Sequence, residues 1–462
     1  MAETFEAARD LPRALAILQQ ATAQEPADPT ARQRLVELFL RAGDWAAAVG
    51  ALRDWEAVLP DQTARAGLWI RIGDLQRDHG RDRRAAEDAY GRAARLHPLG
   101  EGVFRLAAMH RAAADLPSLR AVLTAASAEM RHWLDQDPLN VACLQRLRDL
   151  CRLKARGHEG DPLAGMAVGV IGQLLGLLGA PVEPLPGTRP TFAAAVAPDF
   201  WTRLQAKGAG GEAAGVWEKI GRAAGELYPP GDSPAQRPPA RDKVSAGSEP
   251  RLAWIEDAAR ALGVAGLKLG LAKRPDPSDD SVAVLEGGDP GLVVGRGALV
   301  GGAGVRFRMG RALWLLHAQG AALERLSAPE VAGLFGAAAT AVGATAGPPG
   351  APADELAQRA RQLARTMSRK DLKALEAQAS RVGWELLDAS AFREGVLRTA
   401  DRMGLLFAGD LPVALQIICG KSASQPVGRD MIAAEPRAID LVRFALGEDY
   451  LALRAEAGAG GI

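Results

Sequence analysis

Cysteine and histidine are scarce in this chain, and neither sign of charge is in excess. Three cysteines in 462 residues, Cys143, Cys151 and Cys419, exclude a disulfide framework and show no metal-ligand spacing. Such sparing use fits a reducing compartment, so a cytoplasmic location is expected. His317 is the only histidine after His158, and one isolated imidazole does not make a metal site. Lys and Arg total 56 against 55 Asp and Glu, a net charge of +1. That balance excludes a global field steering the chain to nucleic acid or to an anionic membrane. No uninterrupted run is long and apolar enough to read as a membrane span. The stretch Leu163–Ala180 approaches that length, but Gln173 and several glycines interrupt it, so it reads as a buried packing helix. The first residues, MAETFEAARDLPRALAIL, place acids before any apolar run and lack the basic start of a signal peptide.

What the chain does have is length, helical periodicity and two proline-rich interruptions. At 462 residues it exceeds one compact core and implies about two or three domains. Residues 30–62 carry a helix–turn–helix unit. Leu35, Val36 and Phe39 share one helix face, Gly43-Asp44-Trp45 makes the turn, Ala48 and Leu52 face back, and Pro60 closes the unit. The small positions let two antiparallel helices approach while Phe39 and Trp45 fill the space around them. Residues 63–98 repeat the pattern with Ile72-Gly73, Gly80, Ala86, Tyr90, Ala93 and Pro98, with a longer turn marked by Arg81–Arg84. Looser units follow over 100–138 and 139–179, the former with a second helix overrunning through Met130 and Trp133. Ahead of them, Phe5, Ala14, Leu18, Ala21 and Pro26 fit only the second half of a unit. This implies an unusual cap or an upstream truncation. The spacing resembles the tetratricopeptide repeat, clearly over 30–98 and generically beyond. Stacked repeats of that kind bury a continuous core and present a concave surface.

The expected organisation is therefore mainly α. Helical repeats occupy 1–179, and proline-rich linkers with a short helical pair (201–228) occupy 180–250. An α+β domain over 251–462 is mostly helical with a small sheet. Strands are expected at Leu267–Leu271, Ser281–Leu285 and Gly291–Val294, with a turn at Gly287–Pro290. A strongly apolar helix follows the glycine-rich turn, with Phe307, Met309, Leu313 and Leu316 as its core.

Here the chain resembles, in part and over about residues 251–420, the HExxH zinc metallopeptidases that include the CAAX prenyl endopeptidases and bacterial stress endopeptidases. The resemblance rests on a hairpin whose second strand runs into Gly295-Arg296-Gly297-Ala298-Leu299, on the helix after it, and on the later Ala400-Asp401-Arg402. HExxH works because two histidines at i and i+4 share one helix face and the Glu acts as base. Aligned on the preceding glycine, the His, Glu and His positions read Arg311, Ala312 and Leu315, and the third ligand position reads Leu397. The resemblance thus implies the family's shape without its zinc. Asp401 and Arg402, with Arg311 nearby, are then candidates to replace the metal with ion pairs or hydrogen bonds.

Other motifs fail on spacing. Gly295-x-Gly297 with Gly301-Gly302-x-Gly304 is not a dinucleotide fingerprint, Gly420-Lys421-Ser422 lacks the first glycine of a phosphate loop, and no Gly-x-Ser-x-Gly elbow occurs. The expected function is therefore non-enzymatic, with no catalytic residue, metal or cofactor. The chain is read as a scaffold that holds a protein or peptide on the concave face of its repeats, with Arg34, Arg41, Arg65 and Arg71 as candidate polar contacts. The contrasting reading is a divergent hydrolase with rearranged or unrecognised chemistry.

Overall fold

The computed structural model describes residues 10–26, 28–156, 161–181, 196–229, 241–244, 249–264, 266–273, 276, 278–285, 291–344, 353–421 and 427–458. The chain divides into two compact units, Met1–Asp161 and Pro162–Ile462.

The first unit is a run of helices, each packed on its sequence neighbour: α1 (Leu11–Gln24), α2 (Pro29–Arg41), α3 (Trp45–Val58), α4 (Gln62–Leu75), α5 (Arg83–Leu96), α6 (Gly102–Ala112), α7 (Leu116–Gln136) and α8 (Val141–Ala155). Short side chains that offer an acceptor oxygen start most of them. Asp10, Asp28, Asp44, Asp61, Asp82, Asp115 and Asn140 each accept a backbone N–H from the first turn of the helix that follows, each cap contributing about 1 kcal/mol. Proline at the start of α1, α2 and α7 costs nothing there, because the N–H it lacks has no helical partner. The core is the small–large pattern of the sequence: Val36, Ala48, Leu52, Ala86 and Tyr90 are fully buried. A Cβ on Gly73 would fall 2.5 Å from the Tyr90 ring, so only glycine lets α4 accept that ring. The longer turn of the second repeat is one π-helical turn, Gln76–Gly80, closed by Arg81 in the left-handed region at φ 50°.

The helix α9 (Pro162–Leu177), read from the sequence as the last of the repeats, lies instead in the second unit. Its face of Ala164, Ala167, Val170, Ile171, Leu174 and Leu175 is buried. Gln173, the polar interruption in the apolar run, accepts from the Leu411 N–H at 3.0 Å and donates to the Gly409 carbonyl at 3.3 Å. The short helical pair, α10 (Phe200–Leu204) and α11 (Gly211–Leu227), is also part of this unit rather than a linker. Trp217 of α11 is buried against Phe335 and Phe392 and donates to the Gln319 carbonyl at 3.0 Å.

Residues 241–244, expected in a linker, form the edge strand β1 (Arg241–Val244). After α12 (Ala253–Ala261) come β2 (Lys268–Ala272), β3 (Val282–Leu285) and β4 (Gly291–Val294). The sheet order is β1-β2-β4-β3, with β2 and β4 parallel and the outer pairs antiparallel. The strand positions match those read from the sequence to within a residue or so; the Gly287–Pro290 turn lies outside the described residues. β4 is buried along its length, which suits a strand flanked on both sides.

The rest is helical: α13 (Ala303–His317), α14 (Ala328–Ala341), α15 (Ala353–Thr366), α16 (Arg369–Gln378), α17 (Ala389–Ala408), α18 (Leu411–Ile418), α19 (Arg429–Ala434), α20 (Pro436–Leu446) and α21 (Glu448–Glu456). Phe307, Met309 and Leu313 of α13 are fully buried, whereas Leu316 is half-buried. Among the described residues, no helix is long and apolar enough to cross a membrane.

Candidate functional site

The second unit is built around the crossing of α13 and α17. A Cβ on Gly310 would stand 2.6 Å from the Met403 carbonyl and 3.0 Å from the Gly404 Cα, and one on Gly404 would meet the Phe307 ring at 2.8 Å. Two glycines facing one another let the backbones approach, and neither can gain a side chain without moving a helix. Around them the interface is apolar. Ala312, Leu315 and Leu397 are all buried. Trp314 donates to the Val396 carbonyl at 3.1 Å and so ties α13 to α17.

Against this background the charges stand out. Asp401, on α17, is only 1 % exposed at its side chain. Its carboxylate pairs with Arg311 of α13, and with Arg437 of α20 through two bonds of 2.8 Å. Arg311, 14 % exposed, also donates to Glu324 at 2.6 Å, and Glu324 reaches solvent. Two guanidinium groups and two carboxylates thus close a neutral cluster at the helix crossing. Burial lowers the Arg311 pKa, with the Glu324 carboxylate acting against it and the Arg437 charge reinforcing it. The next residue, Arg402, joins a separate pair: its Nε and Nη2 donate to the two Asp440 carboxylate oxygens at 3.0 Å each, and its Nη1 donates to the Gln205 carbonyl at 3.1 Å.

Of the positions singled out in the sequence, the structure brings Arg311 and Asp401 into direct contact. It places Ala312, Leu315 and Leu397 in the surrounding apolar packing. The residues at the would-be ligand positions do not fit zinc: a guanidinium and two isobutyl groups offer no lone pair. Among the described residues, no group of three or more His, Cys, Asp and Glu is arranged to hold a metal ion. His317 stacks face to face on Trp201 at 4.0 Å, beside Trp314, and burial against these rings lowers its pKa. Glu324, Arg437 and Asp440 escaped sequence reasoning, since no local spacing links them to residue 311 or 401.

In the repeats the four candidate arginines do not behave alike. Arg65 is bound to Glu56 at 2.6 and 2.7 Å and acts as a strut between α4 and α3. Arg34 and Arg71 are half-buried, and Arg41 is exposed at the end of α2. A different arginine set lines a cleft of about 590 Å³ beside α6: Arg77, Arg81, Arg83 and Arg105. Its trace in the sequence is the Arg81–Arg84 segment, which reads there only as a lengthened turn.

The fold thus defines an N-terminal helical-repeat array joined to a mainly helical α+β unit with a small mixed sheet. The tetratricopeptide-repeat family model matches residues 6–68, so the N-terminal segment carries tetratricopeptide repeats. Two crystal structures of MamA match a third of the chain. One does so at 14% identity and a TM-score of 0.22, over 33% of this chain and 79% of that one. The other does so at 14% identity and a TM-score of 0.21, over 33% and 83%. No curated protein matches the chain.

Proposed function

We propose that this chain is a non-enzymatic interaction protein. Its tetratricopeptide repeats hold a protein or peptide partner on their concave face, and its C-terminal unit is a pseudo-peptidase in which an ion cluster stands in place of a metal. The observation that carries the second half is the Arg311–Asp401–Arg437 contact at the α13/α17 crossing. A metallopeptidase helix would present imidazoles at this position, and here the position is filled by a cation already neutralised by protein carboxylates. The Asp401 carboxylate is already engaged by two guanidinium groups, so the site is closed to zinc because its acid is taken as well as because its other residues are not ligands. The first half rests on the repeats, a fold whose stacked helices give binding area without catalytic groups. Cys143 and Cys151, both buried and neither in a disulfide, suit a cytoplasmic protein.

The test is metal analysis of the purified full-length chain, combined with casein and peptide hydrolysis with and without chelator. The expected result is substoichiometric zinc and no chelator-sensitive cleavage. Stoichiometric zinc lost together with a hydrolytic activity would overturn the reading in favour of a divergent hydrolase.

A further inference from the structure

We infer that the cleft beside α6 is the docking site for an acidic segment of a partner protein. This deepens the interaction reading above and rests on it. The cleft's polar lining is four guanidinium groups, from Arg77, Arg81, Arg83 and Arg105, and no carboxylate is among its lining residues. Ala108, Met109 and Ala112 of α6, with Ala113 just beyond its end, supply its apolar wall. Two of the arginines are held in place from their own side. Arg77 bonds Asp78 at 2.6 and 2.8 Å, and Arg83 bonds Glu87 at 2.8 Å and Asp115 at 3.3 Å. Held side chains lose little entropy when a ligand arrives. The other two have charge to spare. Arg105 pairs with Asp74 at 3.8 Å and shares it with Arg77, and Arg81 has no carboxylate partner among the described residues.

The guanidinium fork matches a carboxylate in two bonds, and the volume suits a few side chains rather than a folded surface. The alanine and methionine wall takes an aliphatic side chain between the acids. No aromatic ring lines the cleft to stack a base, and the chain's net charge of +1 gives no long-range pull on a polyanion. These features favour an acidic peptide over a nucleic acid. The π-helical turn puts this site at the junction of the second and third repeats, since the extra backbone carries Arg77 and Arg81 while α6 supplies Arg105 and the apolar wall.

The experiment uses the full-length chain with three fluorescein-labelled probes: a Glu-Glu-Leu repeat peptide, its Lys-Lys-Leu counterpart, and oligothymidine, read by anisotropy at low and high salt. The variant is Arg81→Asn with Arg105→Gln. Asn tolerates the left-handed backbone at position 81, so the charge is removed without straining the turn. A control variant, Arg361→Gln with Arg365→Gln, removes two exposed charges from the second unit. The acidic peptide is expected to bind in a salt-sensitive way, to weaken about tenfold or more in the cleft variant, and to be unaffected in the control. Equal binding by wild type and cleft variant, preference for oligothymidine, or no binding of the acidic peptide each overturns the assignment. The broader interaction reading is judged separately. A partner captured equally by wild type and cleft variant leaves that reading standing and removes only the cleft.

Discussion

The two units hold their helices together by different means. In the repeats each helix is packed on its neighbour in sequence and all but α6 begin on an Asp or Asn cap, as at Asp44 and Asp82. Their ion pairs lie at the surface, such as Arg83 with Glu87 one helical turn away. In the second unit the decisive contacts are distant in sequence and buried. Asp401 meets Arg311 and Arg437, Ala206 N–H reaches the Thr399 hydroxyl at 2.9 Å, and Arg454 reaches the Leu406 carbonyl at 3.0 Å. A repeat needs only an adequate neighbour; the second unit needs particular partners. Loss of one group should therefore be a local matter in the first and a global one in the second.

The largest effect that would test this contrast is Asp401→Asn. It strands Arg311 and Arg437 without their shared carboxylate, and breaking a buried pair from one side costs about 3–5 kcal/mol. Denaturant unfolding should show the second unit's transition at lower midpoint and the repeats' transition unmoved; loss of both together would erase the distinction. If the cost is one of unmatched charge, pairing Asp401→Asn with Arg437→Gln should recover part of it. Next is Gly310→Ala. The added methyl would meet the Met403 carbonyl at 2.6 Å, a backbone atom that cannot swing aside, so about 1–3 kcal/mol should be lost by the same measurement. The smallest is Asp44→Ala in the repeats, which removes the bond to the Ala47 N–H at 2.9 Å and should cost about 1 kcal/mol. Amide exchange should rise in the first turn of α3 and not in α5 or α7. Spread through the array would mean that the repeats are less independent than their contacts imply.

The same contrast explains what could be read in advance. Repeat phase, the positions of β2, β3 and β4 and the apolar face of α13 all depend on spacing within a few residues, and they are legible; β1, in a proline-rich stretch, is not. The membership of α9 is not, because an apolar helix with Gln173 suits a repeat as well as it suits Gly409 and Leu411, more than two hundred residues away. The α10–α11 pair looked like a linker for the same reason: its proline-rich flanks are local, whereas the burial of Trp217 on Phe335 and Phe392 is not. At the site, Arg311 and Asp401 drew attention because each stands near a position where a metallopeptidase would need a ligand. Arg437 and Glu324 complete the charge balance from elsewhere in the chain, and no spacing announces them. In the repeats, Arg34, Arg41, Arg65 and Arg71 were picked out by position in the pattern. The cleft arginines depend on a π-helical turn that the periodicity registers only as extra length.

Arg437 also sets an order of events during synthesis. The repeats emerge first and can close on neighbours already made, as arrays with short-range contacts do. The carboxylate of Asp401 and the guanidinium of Arg311 have no such opportunity to complete their cluster until α20 is made. Nor can the Ala197 N–H and Arg203 reach Glu456 before the last helix has left the ribosome. For that interval the α13/α17 crossing is a half-neutralised core exposed to whatever else the cell offers, while the repeats can already have folded.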